Sequence, residues 1–343
     1  FTVPGESFLP ALNGLYDHKN KIDVITCRHE SGAANMAEAW GKLTGFPGVV
    51  FVTRGPGACH ASIGIHTAMQ DSSPMIMFIG QIHSKHKGRE AFQEVDYFKM
   101  FAQPFSKAIF EIKNAKSIPN IVQKAFYIST SDRPGPVIIS LPEDILEQYA
   151  KYKSIKPLKN NIAKIPHSKI TNLLNRIEIS EKPLIIAGGG DWDKDGAKNL
   201  EHFANTNKIP YAVSFRRQSL VNSNNNYYIG DLSTSVDPKL INSVKESDLI
   251  LVVGARLGEM TTAGYSTIKT NQKSKIIHVY PDEKELGKVY EPLIGIKANS
   301  SIFSKIIKDK KITNIKWEKW SNYCRENYIE YSTPPKYSSE PDM

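Results

Sequence analysis

Short, continuous apolar runs alternate along the chain with longer stretches of mixed polarity. In the first 150 residues the apolar runs at 23–26, 49–53, 75–79 and 137–141 predict strands. The stretches at 6–15, 29–43, 60–69 and 117–130 predict helices. The strand runs are solid rather than alternating, so both faces should be covered. Strand–helix alternation of this kind implies a parallel sheet with helices on both sides. The 29–43 helix is rich in small residues and should stop at Gly45, a left-handed cap, with Pro47 beyond it. A segment rich in Lys, Asn and Pro, residues 151–167, reads as a connector. The alternation then resumes, with strands at 184–187, 211–214, 249–253 and 276–279 and helices at 197–205 and 239–247. The expected fold class is α/β, with two doubly wound parallel-sheet domains at 1–150 and 168–308. The final stretch, 309–343, holds Trp317, Trp320 and closely spaced prolines. Its first half fits an amphipathic helix and its second half a linker toward another domain.

Composition narrows the classes. The 343 residues have an ordinary 40% hydrophobic content and a net charge of +9, from 44 Lys and Arg against 35 Asp and Glu. The lysines are scattered, and no Arg stripe with interleaved aromatics marks a nucleic-acid surface. No apolar run is long enough to cross a membrane, and the N-terminus lacks a secretory pattern. Cys27, Cys59 and Cys324 are sparse and lack metal-ligand spacing, which suits a reducing cytoplasm. Starting at Phe1-Thr2-Val3 and stopping at Met343, the chain reads as cut at both ends.

Glu30 lies where a strand delivers the chain to a helix start. At such a place a carboxylate can face a ligand at the sheet's carboxyl edge, or can simply complement the helix dipole. Further words follow in order: Val3-Pro4-Gly5-Glu6-Ser7, Arg28-His29-Glu30, Thr53-Arg54-Gly55-Pro56-Gly57-Ala58, Gly80-Gln81, Ala91-Phe92-Gln93-Glu94-Val95-Asp96 and Arg133-Pro134-Gly135-Pro136-Val137. Each is weak alone. In this order and at these intervals, they resemble the pyrimidine-binding domain of thiamine-diphosphate enzymes of the acetolactate synthase type. The second domain resembles the central domain of the same family.

The resemblance implies a mechanism. Thiamine diphosphate reacts through C2 of its thiazolium ring, and its own aminopyrimidine removes the C2 proton. A carboxyl group on N1′ of the pyrimidine promotes the tautomer this needs, which makes Glu30 the catalytic acid–base. Pro4, Gly5, Thr53, Pro56 and Gly57 would wall the pyrimidine, with Gly55-Pro56-Gly57 read as a turn. His60 stands where many family members have Asn, so it is equally a helix-start residue. Gln81, Phe92, Gln93 and Lys107 would form the substrate-facing set, with Gln81 catalytic and the Phe92-Gln93 loop closing over the active site of the neighbouring subunit. The implied reaction decarboxylates a 2-oxo acid such as pyruvate and joins the remainder to a second one.

Arg133 would approach a flavin. Gly188-Gly189-Gly190, Arg256 and Asp282 correspond to pieces that acetolactate synthases use for FAD. The glycines are not a dinucleotide fingerprint, because Asp193 stands where its third glycine belongs. No Gly-Asp-Gly followed by Asn is present, and Gly230-Asp231-Leu232 is the nearest string. Mg²⁺ ligands are therefore expected in a further domain, with none in this chain. A homodimer or homotetramer is implied, and the 343 residues alone should be inactive. Other thiamine-diphosphate lyases or acetyltransferases, a non-catalytic subunit retaining the fold, and a nicotinamide oxidoreductase are the rival readings.

Overall fold

A computed structural model describes residues 1–151, 155–158, 164–269 and 275–334. The chain divides into two compact units, Phe1–Asn161 and Ile162–Met343.

In the first unit the strands β1 (Gly48–Val52), β2 (Met75–Gln81), β3 (Ala108–Glu111) and β4 (Pro136–Pro142) form a wholly parallel sheet in the order β1-β2-β4-β3. Every residue of β2 and β4 is buried, as expected of strands covered on both faces. Helices α1 (Leu9–Asp17), α2 (Glu30–Thr44), α3 (Gly55–Asp71), α4 (Tyr97–Met100), α5 (Ile118–Thr130) and α6 (Glu143–Leu146) fill the connections. Gly45 ends α2 at φ 72°, its N–H on the Gly41 carbonyl.

Two expectations are corrected. The run at 23–26 is not a strand. It reduces to one parallel bridge, Thr26 to Thr2, and Thr2 also bridges Phe51. Ile22, Val24 and Ile25 are 47, 42 and 50% exposed, so within this unit nothing covers them as a buried strand would need. Gly55-Pro56-Gly57 is not a turn preceding a helix but the first turn of α3, which starts five residues earlier than expected. Proline is tolerated there because the first helical N–H groups have no intrahelical partner. Helices α2 and α3 meet through Ala33, Ala34 and Ala37 on one side and Ala61, Gly64 and Ala68 on the other, all buried. A methyl group on Gly64 would lie 2.5 Å from Ala34 Cβ, so the contact needs glycine.

In the second unit β5 (Pro183–Ala187), β6 (Tyr211–Ser214), β7 (Tyr228–Leu232), β8 (Leu249–Val253), β9 (Ile276–Tyr280) and β10 (Ile294–Lys297) form a parallel sheet in the order β10-β9-β8-β5-β6-β7. Helices α7 (His167–Ile179), α8 (Lys194–Thr206), α9 (Pro238–Glu246), α10 (Ser300–Ile307) and α11 (Glu318–Ser332) accompany it. The first half of the segment expected as a tail forms the expected amphipathic helix and packs one face onto the core. Trp320, Ser321, Cys324 and Asn327 are buried at one-face helical spacing on α11. Trp317 is fully buried and donates to the Asn207 carbonyl at 3.0 Å, while Trp320 donates to that of Pro183 at 3.2 Å. The expected linker beyond it lies largely outside the described residues. Among the described residues, no helix is long and apolar enough to cross a membrane.

Candidate active site

The bridges at Thr2 set the site. From Thr2 the chain passes outward to Thr26 and then returns to β1 on Thr2's other side. Such a reversal opens a crevice at the carboxyl ends of the strands. Pro4 and Gly5 lead from Thr2 into it. Ser7 Oγ lies 2.9 Å from Thr53 Oγ1, and a methyl group on Gly5 would lie 2.6 Å from Thr53 Cβ. Arg54, 8% exposed, donates to Glu6 Oε1 at 2.8 Å and Glu143 Oε2 at 2.9 Å, tying the first turn, the end of β1 and the end of β4 together.

Glu30 is the first residue of α2, capped by His29, whose Nδ1 lies 3.2 Å from the Ser31 nitrogen. The Glu30 side chain is 12% exposed. Its Oε2 lies 3.0 Å from His60 Nδ1. A methyl group on Gly57 would come within 3.6 Å of its Oε1, so the bare first turn of α3 leaves that oxygen room. The imidazoles of His29 and His60 lie 4.6 Å apart, centroid to centroid. Glu30, Gly57, Thr53 and His60 are thus one group, while Gly5 and Pro4 reach it through Thr53.

A second group lies beside the start of α3. The buried Tyr97 hydroxyl donates to the Gly80 carbonyl at 3.0 Å and accepts from the Gly55 N–H at 3.2 Å. Burial raises its phenol well above the ordinary range. Gln81 is 2% exposed, and both ends of its amide are used: Nε2 donates to the Val95 carbonyl and Oε1 accepts from Ile82 N–H, each at 2.9 Å. Gln81 therefore latches the loop at 91–96. Within that loop Gln93 takes φ 63°, and its carbonyl oxygen would lie 3.0 Å from a methyl on Gly55. Phe92 is 74% exposed. Glu94 accepts from Gly88 N–H at 2.6 Å and Ala91 N–H at 3.1 Å, and the first of these draws its carboxyl below the usual range.

Two expected members, Lys107 and Arg133, lie at the other edge of this unit's sheet. Lys107 Nζ caps the end of α5 on the Ile128 and Ser131 carbonyls, and its N–H meets the Pro136 carbonyl at the start of β4. That is the amino edge of a parallel sheet, opposite Gln81. The resemblance implied a substrate-facing lysine, but the carbonyls at a helix C-terminus attract a cation. Arg133 sits at the same edge, 9% exposed, donating to Met69 O and, at 3.0 Å, to Ser72 Oγ.

The flavin candidates gather at the carboxyl edge of the second sheet, where strand order reverses between β5 and β8. There the glycines serve close packing of the chain on itself. Gly189 has φ 78°, and a methyl on it would lie 1.8 Å from the Gly254 carbonyl oxygen. The helix ends that could greet a diphosphate are already taken. Asp193 accepts from Asp195 N–H and Gly196 N–H at 3.2 and 2.7 Å at the start of α8. Asp191 accepts from Ser300 N–H and Oγ at 2.6 and 2.7 Å at the start of α10. Burial raises the Asp191 carboxyl. Arg256 pairs with Glu285 at 3.2 Å, and Asp282 Oδ1 accepts from Lys284 N–H at 3.0 Å. These residues do not fit an incoming diphosphate. Gly230-Asp231-Leu232 lies within β7 and forms no metal-binding turn.

Tyr97, Arg54, Glu6 and Glu143 were not expected as site builders. Glu6 and Arg54 lie inside quoted words, Tyr97 directly after one, and Glu143 two residues past the strand expected at 137–141; the signal was a polar or phenolic residue at a strand end or loop.

Two family models match the chain. Residues 1–100 match the thiamine pyrophosphate enzyme N-terminal TPP binding domain, and residues 170–305 match the thiamine pyrophosphate enzyme central domain. The acetolactate synthase large subunit of Pyropia yezoensis is 31% identical over 344 residues, covering 96% of this chain and 58% of that protein. That of Haemophilus influenzae is 31% identical over 312 residues, covering 87% and 53%. The Escherichia coli acetolactate synthase isozyme 2 large subunit is 27% identical over 332 residues, covering 97% and 59%. The chain thus spans little more than half the length of these relatives.

Proposed function

Because the chain belongs to the thiamine pyrophosphate enzymes and carries their N-terminal and central domains, we propose that its first unit supplies the carboxylate side of a thiamine-diphosphate site. The complete enzyme would decarboxylate a 2-oxo acid such as pyruvate and join the remainder to a second 2-oxo acid, as an acetolactate synthase does. One observation carries this reading. Glu30 is withdrawn from solvent at the carboxyl edge, with one oxygen on His60 and the other facing the side-chain-free Gly57.

When bound, thiamine diphosphate supplies a carbon that becomes nucleophilic once it loses a proton. Glu30 Oε1 holds and returns a proton at the cofactor's ring nitrogen. His60 Nδ1 anchors Oε2 and so fixes the direction of Oε1. Gly57 and Gly5 let a flat ring approach the backbone. The Gln81 latch holds the 91–96 loop beside α3, where Phe92 and Gln93 border the acceptor's place. Mg²⁺ at the diphosphate needs oxygen ligands that a further domain or a second copy would bring, which is the reason for proposing a homodimer or homotetramer. We assign no flavin step, since the second unit's helix starts are capped by its own carboxylates.

The test uses the complete enzyme with pyruvate, thiamine diphosphate and Mg²⁺, measuring acetolactate. Cofactor-dependent product from the wild type, lost in Glu30→Gln, supports the reading. Product formation that needs no added or bound cofactor contradicts it. Flavin released on acid denaturation of the pure enzyme would contradict the account of the second unit.

A further inference from the structure

The carboxylate just assigned to the cofactor has two histidines beside it. His29, Glu30 and His60 each bring one potential ligand atom within 4.8 Å of the others, and they are the single such trio among the described residues. We propose that these three side chains form a site for a divalent transition metal of the zinc type, and that the ion and the cofactor ring compete for Glu30. The second half of this proposal rests on the function proposed above; the first does not.

The donor set decides the class of ion. Two imidazoles and a carboxylate suit Zn²⁺, Co²⁺ or Ni²⁺, whereas Mg²⁺ prefers oxygen ligands alone. Around tetrahedral zinc, ligand atoms sit about 3.4 Å apart given Zn–N distances near 2.0–2.1 Å. Closing the trio from its present spread takes shifts of about 1 Å. The His29 and His60 rings are exposed and can turn to make them, while Glu30 is held from the backbone of α2. With its proton on Nδ1, donated to Ser31 Oγ at 2.7 Å, the His29 ring keeps Nε2 bare for a metal. Three protein ligands leave a fourth position open, as in exchangeable rather than structural sites. The starts of α2 and α3 both converge here, and their partial positive charge opposes a cation. The site should therefore load reversibly and strip with a chelator. An ion held by Oε2 would occupy the carboxylate that the cofactor ring is proposed to meet.

The test titrates the full, untagged chain with Zn²⁺ alone by calorimetry, and with Co²⁺ by visible absorption. One equivalent is expected to bind, with a Co²⁺ spectrum of low coordination number. His29→Ala and His60→Ala should each weaken binding about tenfold or more. His86→Ala should leave it unchanged, although His83 and His86 form another ring pair 5.0 Å apart. No saturable Zn²⁺ binding overturns the proposal, as does binding that survives His60→Ala or fails in His86→Ala. No cofactor or turnover enters these readings, so they stand or fall apart from the proposed reaction. In the complete enzyme, Zn²⁺ should raise the thiamine-diphosphate concentration needed for half-maximal activity. It should do so less in His60→Ala; an equal effect in both refutes the competition.

Discussion

Exchanging Gly64 for alanine sets two effects of known size against each other. Alanine is the better helix former by about 1 kcal/mol. At position 64 the added methyl would lie 2.5 Å from Ala34 Cβ, 2.7 Å from Ala34 C and 3.0 Å from Ala34 O. Ordinary contact between apolar carbons is about 4 Å. Two of the three clashing atoms are backbone and cannot rotate aside, so α2 and α3 must separate. Overpacking of this kind costs about 1–3 kcal/mol, and backbone contacts put the case toward the upper end. The net expectation is a loss of about 1–2 kcal/mol. Gly14, in the exposed α1, supplies the control, since nothing lies within 4 Å of a methyl there. Gly14→Ala should gain about 0.5–1 kcal/mol. The assay is native-state hydrogen exchange across increasing urea, read on peptides from α2 and α3, which isolates the first unit. Gly64→Ala as stable as the wild type, or more so, would refute the packing argument. Because α2 carries Glu30 and α3 carries His60, the same variant should also weaken their 3.0 Å hydrogen bond.

Three further outcomes are expected. Burial pushes the Cys324 thiol up to about 12, whereas Cys59 is exposed; a thiol reagent at pH 8 should label Cys59 first and Cys324 only in denaturant, and early Cys324 labelling, read by mass spectrometry, would contradict this. Burial also raises the phenols of Tyr97, Tyr211 and Tyr228. A raised folded-state value keeps its contribution intact below about pH 10 and loses it above, by about 1.4 kcal/mol per pH unit per phenol; urea titrations at pH 9 and 11 should show the loss, and Tyr97→Phe should lessen it in the first unit. Trp317→Phe leaves the buried Asn207 carbonyl without its 3.0 Å donor and should destabilise the second unit by about 1–3 kcal/mol in urea unfolding, where no change would show α11 to be peripheral.

Both sheets were legible because their central strands are solid apolar runs that nothing but a two-sided cover explains. The edges were not. β3 is half-buried along its length and β7 contains Gly230, so neither shows a clear period. The run at 23–26 is as apolar as a strand, yet it makes one bridge, since a sequence run says nothing about which neighbour is present. Glu30 was legible from its words and its place at a helix start. Its pairing with His60 was not, because 30 residues separate them and the bare first turn of α3 brings them together. Lys107 and Arg133 show the converse. Their residue types suggested anion contacts, but carbonyls near the ends of α3 and α5 take them first.

The most direct measurement is exchange of the cofactor's C2 proton with deuterium in the complete enzyme, followed by NMR after rapid quench. Glu30→Gln keeps the shape of the side chain but cannot hold and return a proton. The account expects exchange to slow by about 10²–10⁴-fold in this variant while the cofactor remains bound. Exchange at the wild-type rate would contradict it.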